Sequence, residues 1–213
     1  MTPIDRLLSI SSDPIAPRPN ALPQLLEAYK LGPELFHMLE RKNGFYAFES
    51  ALHVFPLTSA AGMSLEEWNA DSLWRNGYED LAEGLLFFAE DIFQDQYCIS
   101  SNGVLRFFAE TGATLFLADS IDTWAEKLLS DYKRETAWPL ASQWQDENGP
   151  LPEGKRLMPK IPFFLGGEYS TNNFWVGDSV EGMRFKADLA IQTRNMPRGS
   201  QVTINFTRKP TEQ

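Results

Sequence analysis

Few side chains in this chain have the type and spacing that chemistry needs. Gly149-Pro150-Leu151-Pro152-Glu153-Gly154-Lys155 has the spacing of a phosphate-binding loop. Such a loop cradles phosphate with backbone N–H groups, and its two prolines remove two of them. Arg156 also stands where a Ser or Thr would ligate magnesium, so the stretch reads as a linker. His37 and His53 have no partner at a metal-ligand spacing and read as surface or core-edge residues. Cys98, between Tyr97 and Ile99, reads as a buried, inert thiol. Glu66-Glu67, Glu79-Asp80 and Glu90-Asp91 are paired carboxylates, but adjacent acids in an acidic protein are usually solvated. The expectation is therefore no catalytic set, no metal and no cofactor.

Charge is distributed more informatively. Residues 64–95 hold nine acids and one base, Arg75, a net −8 out of −10 for the whole chain. Beyond Arg184 there are six bases and two acids, counting Arg184 itself. Two readings stand for the acidic segment: a solvated face, or a docking surface for a basic partner, which would steer association and enforce specificity. On the second reading Asp71, Glu79, Asp80, Glu83, Asp91 and Asp95 are the electrostatic contacts. Trp74 is then an anchor, although Trp68 and Trp74 suit a core equally well.

Composition bounds the fold that must position these residues. With 213 residues, 43% hydrophobic and 13% aromatic, the chain can bury a core as one domain with an extension or two small domains. A single cysteine excludes a disulfide framework. No run of 18 apolar residues exists, so no membrane helix is expected, and the negative charge argues against nucleic acid. The N-terminus lacks the basic and apolar regions of a signal peptide, which points to the cytoplasm. The sequon Asn205-Phe206-Thr207 then carries no meaning.

Along the chain, residues 1–19 read as a loose arm, because Pro3, Pro14, Pro17 and Pro19 forbid a long helix. Two short helices follow, separated by Gly32-Pro33 and stopped at Asn43-Gly44. Alternation at Phe45/Ala47 and Leu52/Val54 predicts a hairpin. Ser64 and Glu67 form a capping box that starts a helix through Trp68, extending as far as Trp74. Residues 85–118 predict a meander with runs at 85–89, 97–99, 104–108 and 114–118, and Asn102-Gly103 as its strongest turn. Ile121, Trp124, Leu128 and Tyr132 form the stripe of a closing helix. Then Trp138, Ala141 and Trp144 suit a short helix, Val180 to Ile191 a further one, and Val202, Ile204 and Phe206 a last strand at an edge of the main sheet. The fold class is α+β: a central mixed or antiparallel sheet flanked by helices over 20–135, with 136–213 as a C-terminal extension packed on or continuing it.

The order of these segments resembles the SUKH superfamily, the Smi and Knr group of bacterial immunity proteins and fungal cell-wall regulators. The residues that carry the resemblance begin with Leu22-Pro23 and the run Asn43-Gly44-Phe45-Tyr46. They continue with Glu67-Trp68-Asn69, with Phe88-Ala89-Glu90-Asp91 before Gln96-Tyr97-Cys98-Ile99, and with Gly103-Val104 and Glu110-Thr111-Gly112. Ala118 to Trp124 looks like the entry to the closing helix. The likeness covers about 20–132, and the family's Gly-Asp before the tyrosine reads Asp95-Gln96 here. It implies a mixed-sheet α+β fold without catalytic machinery. It also implies a protein that binds and neutralises a cognate toxin, often a nuclease, whose basic surface an acidic face would cover. Two alternatives remain open: an interaction scaffold of the fungal type, and an enzyme using Cys98 or a carboxylate pair.

Overall fold

Local sequence signals build the centre of the computed structural model, which describes residues 1–58, 62–197 and 199–202. Six strands run β1 (Phe45–Ala47), β2 (Leu52–Val54), β3 (Leu86–Asp91), β4 (Gln96–Ser100), β5 (Gly103–Phe108) and β6 (Ala113–Ala118). They pair in the order of the chain, each antiparallel to the next. The sheet is thus antiparallel throughout and not mixed. The turn between β4 and β5 uses Gly103 at φ 129°, where a Cβ would lie 2.4 Å from the Ala118 carbonyl oxygen. Only glycine fits there, which is why Asn102-Gly103 was so legible.

β3 and β4 are buried along their whole length, so the sheet is covered on both sides. Phe88 and Tyr97 meet Trp124 of helix α5 (Ile121–Ser130), while Phe87 and Phe107 meet Trp74 and Tyr78. Neighbouring residues of a strand point to opposite faces, and aromatic rings fill both layers.

The N-terminal arm is not loose. Pro3–Ile10 forms α1, with Pro3 in the first turn, where its missing N–H costs nothing. Thr2 and Asp5 form a reciprocal cap, and buried Leu7 and Leu8 help seat the helix on α5. The later prolines lie in an extended stretch that bonds along the edge of β1, through Ser12 N–H to Tyr46 O (2.8 Å) and Ala16 N–H to Asn43 O (3.0 Å). Two helices follow, α2 (Gln24–Glu27) and α3 (Gly32–Arg41).

The capping box of Ser64 and Glu67 starts α4, but α4 covers only Leu65–Trp68 and does not reach Trp74. Asn69 ends it. Its amide donates to Leu65 O and Phe87 O, and its oxygen accepts from Phe87 N–H, so one side chain ties the helix end to β3. A 3₁₀ stretch over Arg75–Ala82 follows, broken at Glu79 (φ 52°).

Past α5 come α6 (Tyr132–Glu135) and α7 (Trp138–Asn148). A two-stranded antiparallel sheet pairs β7 (Lys155–Pro159) with β8 (Phe174–Asp178). Helix α8 (Ser179–Thr193) then returns to the main core with Met183, Ala187 and Ala190. A smaller apolar cluster joins Ala51, Ile92 and Phe93 to Ala141, Leu157 and Phe174. Apart from Val202, the expected last strand, with the sequon, lies outside the described residues. Among those described, no helix is long and apolar enough to cross a membrane.

Candidate functional site

The hairpin β1–β2 places Tyr46 opposite His53, and their rings stack at 4.5 Å. His53 also meets Phe55, Phe55 stacks on Trp68, and Trp68 meets Trp74, giving a continuous aromatic ladder. A bulge between Phe87 and Ala89 shifts the alternation of β3, so that Glu90 comes to this face, in register with His53. Glu90 Oε1 lies 3.2 Å from His53 Nδ1 and 2.9 Å from Arg156 Nε of β7. All three side chains are buried. Burial alone would raise the Glu90 carboxyl, but Arg156 and the His53 contact outweigh it and hold it below its ordinary value. Burial holds the His53 imidazole below 6.5, against the pull of Glu90. An ionised carboxylate only accepts, so the neutral imidazole donates from Nδ1.

This ladder forms one wall of a cavity of about 290 Å³. Glu153, Gly154 and the start of α8 at Asp178, Ser179 and Val180 form the opposite side, with Ile15 and Met63 completing the apolar lining. The cavity therefore lies where the C-terminal segment closes over the sheet.

Asp91, next in sequence, points the other way. Its Oδ2 lies 2.6 Å from Arg106, which also holds Asp95 at 3.0 Å and approaches Glu135 at 3.7 Å. Asp91 Oδ1 accepts from Phe93 N–H and Asp95 N–H. Burial pushes the Asp91 carboxyl up to about 7, Arg106 pulling it down and Asp95 adding to the rise. These acids order the β3–β4 turn and are not surface contacts.

The expected docking set is therefore divided. Asp71, Glu79, Asp80 and Glu83 are exposed, as are Glu66 and Glu67. Asp91 is 1% exposed and Asp95 is enclosed by Arg106, so both leave the set. Trp74 is 2% exposed and packs on Trp68, Tyr78 and Phe87; it is core and not an anchor. The inward face of β3 withdraws Asp91, Arg106 holds Asp95 in the β3–β4 turn, and the need to cover Phe87 withdraws the tryptophan. Of the remaining acids, Asp80 is held by Arg194 at 2.7 and 3.0 Å and Glu79 by the same arginine at 3.4 Å. Glu67 caps α4. Asp71 lies 3.8 Å from Arg75, which also donates to the Asn69 and Ala82 carbonyls and lies over the Phe87 ring. Cys98 is buried, and burial raises its thiol above the ordinary range. His37 is exposed on α3, near Glu40.

Reading along the chain missed the group formed by His53, Glu90 and Arg156. Alternation puts Glu90 and Asp91 on opposite faces, but the bulge between Phe87 and Ala89 decides which of them meets His53. Nothing local marks Arg156 as their partner.

No family model and no curated protein matches the chain. Among solved structures it is similar to Atu4351 from Agrobacterium tumefaciens, with a TM-score of 0.54 at 12% identity over 85% of this chain and 86% of that one. A likeness at that identity concerns the fold alone, and the fold it supports is α+β.

Proposed function

We propose that this is a cytoplasmic, non-catalytic binding protein of the SUKH immunity kind, which neutralises a basic protein toxin through the acids of residues 66–83. One observation carries this reading. After Asp91 and Asp95 fold inward, six acids between Glu66 and Glu83 stay exposed, against Arg75 within that segment and Arg184 and Arg194 docked on it. The segment is backed by Trp68, Trp74 and Tyr78, all buried. Charges on a pre-organised surface accelerate encounter and select a basic partner without the cost of ordering a loop. Glu66, Asp71 and Glu83 are the contacts freest to act, because Arg194 already serves Glu79 and Asp80.

The test is titration calorimetry and stopped-flow association with the polypeptide encoded beside this gene, at low and raised salt. One-to-one binding that weakens with salt is expected. The triple variant Glu66→Lys, Asp71→Lys, Glu83→Lys should associate at least tenfold more slowly while melting near the wild-type temperature. Association unchanged by the triple variant would overturn the interface. Absence of binding to any neighbouring gene product would overturn the immunity reading.

A further inference from the structure

We infer that the groove between the β1–β2 turn and helices α5 to α7 is a binding site for an organic cation of the quaternary ammonium class. It shares no residue with the acidic segment, so it stands apart from the toxin-binding reading. Ile10, Phe48, Glu49, Leu129, Tyr132 and Trp138 line it and leave a space of about 440 Å³. That lies within the usual range for ligand sites, roughly 300–1,000 Å³.

Aromatic rings supply the recognition surface. Phe48 and Tyr132 stack at 4.8 Å, and Tyr132 meets Trp138 edge-on at 5.4 Å. All three are half-buried, so each keeps surface open to a ligand. Ring faces carry negative potential and attract a cation within about 6 Å of the centroid. One such contact is already made: Lys133 Nζ lies 5.8 Å from the centre of the Trp138 ring. Lys133 is exposed and does not line the groove, so its ammonium leaves the groove itself uncovered.

Glu49 fixes the sign of the ligand. Its carboxylate forms no ion pair among the described residues, and no lysine or arginine lines the groove. Its Oε2 accepts from Trp138 Nε1 at 3.2 Å, which turns the acid toward the rings. Its carbonyl accepts from Gln145 Nε2 at 2.8 Å. These two bonds help hold Phe48, Glu49 and Ser50 in succession at φ of 53°, 53° and 67°. Three consecutive non-glycine residues in the left-handed region are costly, and such conformations gather at ligand clamps. The lining also selects the kind of cation. A primary ammonium needs acceptors for three N–H groups, and the one charged acceptor here is a carboxylate already shared with the indole. A quaternary ammonium has no N–H to satisfy, and its methyl groups suit the rings together with Ile10 and Leu129.

The experiment is two-dimensional NMR of the full chain at constant ionic strength, following the indole N–H signal of Trp138, which is assigned by its loss in Trp138→Phe. The probes are choline, its neutral carbon isostere 3,3-dimethyl-1-butanol, and ethanolamine. They share a hydroxyethyl tail and differ in the charge and methylation of the head. Choline at millimolar concentration should shift the Trp138 signal and bind about fivefold more tightly than either of the others. Glu49→Gln, which keeps an oxygen for the indole, should weaken choline about fivefold and leave the isostere unchanged, at a melting temperature near the wild type. Binding of the isostere or of ethanolamine as tight as that of choline would overturn the proposal. So would choline affinity indifferent to Glu49→Gln, or a Trp138 signal unmoved by millimolar choline in the folded wild-type protein.

Discussion

Glu90 and Asp91 are chemically alike, adjacent in sequence and buried to the same degree, yet their surroundings treat them in opposite ways. Glu90 is held ionised between His53 and Arg156, while Asp91 is pushed toward neutrality beside Asp95 and under Arg106. Removing one member of a buried ion pair strands the other, at about 3–5 kcal/mol. Arg156→Met should therefore destabilise by about that amount in urea titrations, and adding Glu90→Leu should recover most of the loss. A double variant no more stable than the single would show that packing by the arginine stem matters more than its charge. Among the groups that set the pH dependence, His53 and Asp91 contribute with opposite sign. His53 has a depressed value in the fold, so its contribution to stability is present above 6.5 and is lost as pH falls. Asp91 has a raised value, so its contribution is present below 3.8 and is lost as pH rises through about 7. The two offset each other between these limits. His53→Asn should remove the first and leave a stability that declines as pH rises toward 7, measured by denaturation at fixed pH steps. A slope identical to the wild type would contradict this assignment. In the sequence both carboxylates looked solvated, because a pair of acids carries no mark of burial. Their separation follows from the strand period alone, but the arginine that makes Glu90 tolerable comes from a distant strand.

At the scale of elements, the signals that proved legible were those closed within a few residues. The cap of Ser64 with Glu67, the turn at Asn102-Gly103 and the Ile121, Trp124 and Leu128 stripe of α5 each depend on neighbours in the chain, although α5 ends at Ser130 and Tyr132 opens α6. What the sequence hid were elements shaped by distant contacts. The prolines of residues 1–19 suggested looseness, yet Pro3 opens a helix and the rest hold a strand-like edge on β1. Trp74 suits a core and a partner equally well in the sequence, and the sheet decides for the core by needing it against Phe87. The docking of α8 shows the same contest between local preference and packing. Gly182 lies within this helix, and alanine there would raise helix propensity by roughly 1 kcal/mol. A Cβ at that position would lie 2.2 Å from Gln94 Oε1 and 2.7 Å from Met158 Sδ. Gln94 is itself engaged with the Ser179 carbonyl and with buried Lys186. Overpacking typically costs about 1–3 kcal/mol, so Gly182→Ala should be net destabilising in thermal melts. A higher melting temperature for this variant would mean that α8 can shift outward freely.

For the whole molecule, the strand order has a kinetic meaning. Each strand of the main sheet pairs with the one before it, but only β1–β2 and the run β3 to β6 do so through short turns; β2 meets β3 across residues 55–85. The run β3 to β6 can zip from its turns, and the tight Asn102-Gly103 hairpin is an early place to begin. Helix α8 meets the 3₁₀ stretch Arg75–Ala82 only after most of the chain has been laid down, a non-local step like the packing of α1 on α5. Met183→Ala, which empties a fully buried site between α8 and the core, should cost about 2–5 kcal/mol. That loss should fall on the unfolding limb of a chevron plot, with the refolding rate nearly unchanged. Slower refolding would place α8 in the nucleus instead. The run β3 to β6 is thus the part of the sheet that local turns can assemble, whereas β2, α1 and α8 join it across long stretches of chain, so the Met183 variant asks whether resistance to unfolding is set by the final strap or by the strands it covers.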